Sequence, residues 1–161
     1  MLAPASAADI PAVVALRDEA ARWMIGRGIR QWRPGDRPLS YFENAARTGE
    51  LFVWREDGAV LGAVVAARTD PAWEVAEPWT RYLHTLVIDP AYAGIGLGRR
   101  ILAAIESHLR STGVSQVRLD CVADNARLRA YYRDAGYTEV GTRDLPRPWG
   151  SLALFEKSLG G

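Results

Sequence analysis

The stretch most capable of chemistry is AYAGIGLGRR, residues 91–100, where Gly94, Gly96 and Gly98 stand at alternate positions and Arg99 and Arg100 follow at once. Glycine at every second position weakens a strand or a helix interior, so its use implies that bare backbone is needed there. TRYLHTLVI, just before it, reads as a strand stopped by Asp89-Pro90. Leu97, Ile101, Ile105 and Leu109 then recur every four residues, which predicts a helix with one apolar face. A strand, a glycine loop and a helix N-terminus together offer free N–H groups and a partial positive charge, the setting in which a phosphate binds. Two arginines in the first turn run against the helix dipole and fit a bound anion. A glycine turn that merely packs tightly is the alternative.

Two familiar phosphate loops fail in detail. A dinucleotide fingerprint needs glycine at the sixth position counted from Gly94, and that residue is Arg99. Asp120 at the end of the following strand imitates the ribose-binding acid, but too little chain follows for a second nucleotide-binding half. A Walker loop would end in Gly-Lys-Ser or Gly-Lys-Thr, which is absent.

The elements around the loop read as follows. Ser6 and Asp9 are placed as a capping pair for an opening helix that carries Val13, Leu16, Ala20 and Trp23. PLSYFENAART predicts a short second helix, and Asp57-Gly58 a hairpin between two strands. SQVRLDCV predicts a strand, and DNARLRAYYRDAG a helix capped by Asp124 or Asn125. Two closing strands follow. The pattern implies an α/β (α+β) fold in one domain over residues 1–161, with a mixed central sheet of about six to seven strands and helices on both faces.

Composition narrows the function. The net charge of +1 over 161 residues argues against a nucleic-acid surface. One cysteine, Cys121, excludes an internal disulfide, and with only two histidines, His84 and His108, no metal site is expected. No apolar run reaches a membrane span, and no secretory signal is visible, so a cytoplasmic protein is expected.

LVIDPAYAGIGLGRRIL resembles the acetyl-coenzyme-A-binding motif of the GNAT acyltransferases, V-x-P followed by Q/R-x-x-G-x-G/A. NARLRAYYRDAGY, Asn125 to Tyr137, resembles their second motif, N-x-x-A-x-x-x-Y-x-x-x-G-F. The likeness covers about residues 50–158. Ala93 stands where the family has Gln or Arg, Leu128 replaces a small residue, and Tyr137 replaces Phe. The resemblance implies a GNAT-like single-domain fold and an N-acetyltransferase that uses acetyl-CoA on a small-molecule or peptide amine, with a homodimer possible. It implies pantetheine along Leu86, Val87 and Ile88, and the pyrophosphate on the amides of Gly94, Ile95, Gly96, Leu97, Gly98 and Arg99. Asn125 is then a contact to the pantetheine arm.

Acetyl transfer from a thioester to an amine needs a base, an oxyanion donor and an acid for the departing thiolate. Asn125 and Tyr132 are two helical turns apart and share a side. The family motif makes Tyr132 the acid and a cofactor contact, and leaves Tyr131 to packing. Asp120 matches the place where similar ribosomal-protein acetyltransferases carry a catalytic Glu, and being shorter it would act through water. A second family position for a Glu is Tyr82 here. His84 shares that strand face by period two, and imidazole titrates near neutrality. Asp120, His84 and solvent remain as bases. A backbone N–H of Leu86 to Ile88 serves the oxyanion. A covalent acyl-Cys121 lacks a positive partner to activate the thiol. Trp23, Trp32 and Trp79 either line an acceptor pocket or belong to the core or a dimer contact. An idle acyl-CoA-binding or sensory domain is the other function class.

Overall fold

The computed structural model describes residues 1–146 and 150–160. Seven strands form one sheet: β1 (Leu2–Pro4), β2 (Leu51–Glu56), β3 (Ala59–Ala67), β4 (Thr80–Ile88), β5 (Gln116–Val122), β6 (Thr138–Leu145) and β7 (Gly150–Ser158), in the order β1-β2-β3-β4-β5-β7-β6. Among the described residues four α-helices flank it: α1 (Ile10–Ile25), α2 (Leu39–Arg47), α3 (Leu97–Ser111) and α4 (Ala126–Asp134). Alternation along the strands sorts their side chains to two faces. Phe52 and Trp54 join a core with Leu97, Ile101, Ile105 and Tyr132 from α3 and α4. Leu51 and Val53 join a second core with Val13, Leu16 and Phe42 from α1 and α2.

One element was not foreseen. β1 pairs antiparallel with β2, Leu2 opposite Trp54 and Pro4 opposite Phe52. Three residues are too few to show a period, and what makes them a strand is the open edge of β2. The Ser6–Asp9 capping pair exists: the Ser6 N–H donates to Asp9 Oδ2 at 2.8 Å. It caps one turn of 3₁₀-helix that leads into α1.

The feature that positions the site is a split in the sheet. β4 and β5 are the parallel pair, and their pairing runs only through Thr80–Gln116, Arg81–Val117 and Tyr82–Arg118. Beyond that point β4 stays with β3 as far as Ile88 opposite Gly62. β5 stays with β7 as far as Val122 opposite Leu152. The sheet therefore opens between His84–Ile88 and Asp120–Val122. A bulge falls at the same place, where Val65 faces His84 but Ala63 faces Val87. Thr85 takes it up with φ +53, a left-handed conformation that costs a β-branched residue about 1–2 kcal/mol.

Candidate functional site

One side of the split is made of main chain. Gly94 and Gly96 have φ +79 and +84, a backbone that other L residues adopt only under strain. The Arg100 N–H returns to the Gly96 carbonyl at 3.1 Å as α3 begins. The amides before it stand at the open end of the helix, where intrahelical partners run out. Gly98 has a different reason to be small: a Cβ there would lie 3.0 Å from Tyr131 Oη. These features fit a phosphate group: exposed amides, a helix N-terminus, and no Cβ at Gly94, Gly96 or Gly98. Of the two arginines expected to face an anion, Arg100 is otherwise engaged, 3.4 Å from Glu56 and over the Trp54 ring. Arg99 lies over the Tyr131 ring and donates to the Tyr131 carbonyl at 3.3 Å. Asn125 caps α4, its Oδ1 accepting from the Leu128 N–H at 3.1 Å.

The other side is made of side chains from three places in the chain. Asp70, from the connection after β3, His84 of β4 and Asp120 of β5 bring their polar atoms within 4.8 Å of one another. His84 Nε2 lies 2.5 Å from Asp70 Oδ2. Asp120 and His84 each stand two residues past the last β4–β5 pair, where the sheet has just opened. Burial, with the Asp70 charge adding to it, pushes the Asp120 carboxyl up to about 6, while His84 and Arg37 work the other way. Burial also acts to raise Asp70, but the hydrogen bond from His84, the charge of that ring when it is protonated, the Ala72 N–H and Arg37 outweigh it and hold Asp70 below the usual carboxylate range. Tyr82, at the second family position, is fully buried, and its hydroxyl donates to the Val75 carbonyl at 3.0 Å.

Tyr132 lies across the sheet, in the core of α3 and α4. Its ring packs on Tyr131, Tyr137 and Phe155 at 5.5–5.9 Å between centroids. Burial, with Cys121, Tyr131 and Asp120 as ionisable neighbours, raises its phenol, which stays protonated. Cys121 is buried, and burial pushes its thiol up to about 12, so it is not poised as a nucleophile.

The sequence offered Asp120 and His84 separately, as alternative bases, and the structure brings them together with Asp70. Asp70 was missed, because it lies in a loop with no period and far from either motif. Asp70-Pro71 was the available signal: an Asx residue starting a turn, here with Oδ1 accepting from the Ala72 N–H at 2.6 Å. Trp73 was missed as well; it packs on Tyr82 and under Arg118, beside Asp120 on β5. The tryptophans singled out differ in their surroundings. Arg27 stacks on Trp23, Arg17 stacks on Trp32, and Trp79 is half exposed. The connection between α1 and α2 does reach the site, since Gln31 Oε1 accepts from the Val122 N–H at 3.4 Å.

A sheet opened between two parallel strands, with a glycine-rich helix N-terminus beside the opening, is the frame that the GNAT resemblance implied. The family model described as acetyltransferase (GNAT) family matches residues 14–137, and the chain belongs to that family. It is 29% identical over 165 residues to YesJ of Bacillus subtilis, described as an uncharacterized N-acetyltransferase, covering 97% of this chain and 88% of that one. A GNAT-family acetyltransferase from Listeria monocytogenes superposes with a TM-score of 0.79 at 23% identity, over 98% of this chain and 94% of that one. YncA of Salmonella typhimurium, a putative acetyltransferase solved with acetyl-CoA, gives 0.73 at 19% identity, over 100% and 94%. Among the described residues no helix is long and apolar enough to cross a membrane.

Proposed function

We propose that the protein is an N-acetyltransferase that carries an acetyl group from acetyl-CoA to a primary amine of a small molecule or peptide, by direct attack in a ternary complex. The observation that carries this reading is the split at β4–β5, which has a main-chain cradle beside it and the Asp120–His84 pair at its mouth. Acetyl-CoA supplies an acyl group activated as a thioester. The amides of Gly94 to Arg99 hold its pyrophosphate, and the free edge of Leu86, Val87 and Ile88 takes pantetheine as a sheet takes a strand. Asn125 has its Oδ1 committed to the Leu128 amide, which leaves its NH₂ for the pantetheine arm.

The amine arrives as an ammonium and has to lose a proton before it attacks. Asp120, with a pKa of about 6, is mostly charged at neutral pH and holds the cation. His84 takes the proton. A backbone N–H of the Leu86–Ile88 segment stabilises the oxyanion, a role worth about 10²–10³-fold in comparable sites. Tyr132 donates to the leaving thiolate from its dry surroundings, where an unprotonated thiolate is poorly solvated.

The test is thiol release from acetyl-CoA against a panel of primary amines, with the products identified by mass spectrometry. An acetylated amine is the expected result. Tight CoA binding with no turnover on any amine would instead describe an idle acyl-CoA-binding domain.

A further inference from the structure

We propose that Asp70 is a positioning residue: by accepting the Nε2–H of His84 it fixes the imidazole with its lone pair on Nδ1, the nitrogen that takes a proton from the acceptor ammonium. The inference rests on the reading of His84 as the base.

Three observations carry it. Both oxygens of Asp70 are engaged, Oδ2 with His84 Nε2 at 2.5 Å and Oδ1 with the Ala72 N–H at 2.6 Å, so the carboxylate is held at two points. The Asp70 side chain is 3% exposed and that of His84 21%. Asp70 is thus out of reach of an acceptor and acts only through the imidazole, while His84 can meet one. The pair also sits where β5 leaves β4, so the carboxylate lies behind a base at the mouth of the split and not in a remote surface pair. The charged groups around His84 are Asp70 from the loop, Asp120 from β5, and Arg37 near α2, which acts electrostatically on both carboxylates.

The proton ledger closes. An N–H bond of the ammonium breaks and its proton moves to Nδ1. The electron pair left on nitrogen forms the C–N bond while the carbonyl π pair moves onto oxygen. As that oxyanion collapses the C–S bond breaks, Tyr132 protonates the sulfur, and the second N–H proton leaves the nitrogen through solvent and restores the Tyr132 phenol. The imidazolium so formed lies against the Asp70 carboxylate, which favours its charge and stays ionised itself. Carboxylate–imidazole pairs in hydrolases use the same division of labour.

Two readouts test this. The first is ¹⁵N NMR of the ring, made simple by a chain with only two histidines, using His108→Gln to remove the other signal. Neutral His84 should carry its proton on Nε2 with slow exchange, and Asp70→Asn, whose amide can donate to Nε2, should move it to Nδ1. The second is kcat/KM with spermidine, glycinamide and glucosamine as acceptors. Asp70→Asn should lose about 10²–10⁴-fold, with KM for acetyl-CoA unchanged, and less than about threefold in a His84→Ala background. An equal loss in both backgrounds would mean that Asp70 is merely structural and overturns the proposal, as does a wild-type proton on Nδ1. Should none of the three amines turn over, the proposed activity is what is in question, and the NMR readout still decides the role of Asp70. A proton on Nδ1 alongside normal turnover sinks this inference and leaves acetyl transfer standing.

Discussion

Along Gly94–Arg99 the groups proposed to hold the donor are main-chain amides, set by the φ of two glycines within one short stretch. Asp70, His84 and Asp120 are side chains from a loop and two strands, brought together by a bulge and by the end of a strand pairing. Backbone recognition tolerates many side chains but no change in conformation. A side-chain cluster tolerates backbone variation but depends on each group's charge and partner. The two sides of the split should therefore fail in different ways when altered.

The largest effect belongs to Tyr132, the proposed acid. Tyr132→Phe keeps the aromatic packing with Tyr131, Tyr137 and Phe155 and removes one proton. kcat should fall by about 10²–10⁴-fold with CoA affinity nearly intact. A thioester with a better leaving group should recover much of the loss. If affinity falls and kcat does not, Tyr132 only holds the donor.

Next comes the cradle. Gly96→Val places a β-branched residue at φ +84. Its Cβ meets no protein atom within 4 Å, so the damage is conformational and local to the loop. CoA affinity should drop by roughly 10²-fold while the melting temperature moves little. Unchanged affinity in calorimetry would leave the amides without the role given to them.

Beneath the cradle, packing is the constraint. A Cβ on Gly62 would lie 2.4 Å from Ile101 Cδ1 and 2.9 Å from the Val87 carbonyl oxygen. Gly62→Ala should cost about 1–3 kcal/mol in denaturant unfolding without altering the pH dependence of turnover. A neutral outcome would show that α3 shifts on the sheet without penalty.

The smallest effect, and the most specific to the acceptor side, concerns Asp120. Its folded pKa is raised to about 6 from 3.8, so the folded state binds this proton more tightly than the unfolded chain does. The stability linked to it is present below about pH 3.8 and is lost as pH rises through 6. Asp120→Asn should therefore raise the melting temperature at pH 7 and leave it unchanged near pH 4, while weakening the acceptor's KM. If the melting temperature at pH 7 does not rise, the carboxylate is not held in the strained state inferred from its burial.

This difference in construction also decides what could be read in advance. The glycine loop, the α3 stripe of Leu97, Ile101, Ile105 and Leu109, the Asn125 cap and the hairpin at Asp57-Gly58 are local patterns, and each appears where it was expected. Asp120 and His84 were legible one at a time, by strand period and by motif. Their meeting was not, because it depends on where β4 and β5 cease to pair. Asp70 was missed for the same reason: Asp70-Pro71 marks a turn but not the partner, His84, which lies in another element. The N-terminal strand was lost to brevity, and the contacts of Arg100 with Glu56 and Trp54 could not be foreseen because both lie on β2, distant in sequence from α3.

The division of labour across the split is tested most directly by CoA titration in a calorimeter, carried out in parallel on wild type, Gly96→Val and His84→Ala, with amine acetylation measured on the same samples. The expected result is that His84→Ala binds CoA as the wild type does but acetylates slowly, whereas Gly96→Val loses CoA and regains turnover at high donor concentration. Retained CoA affinity in Gly96→Val together with lost affinity in His84→Ala would contradict the assignment of the two sides.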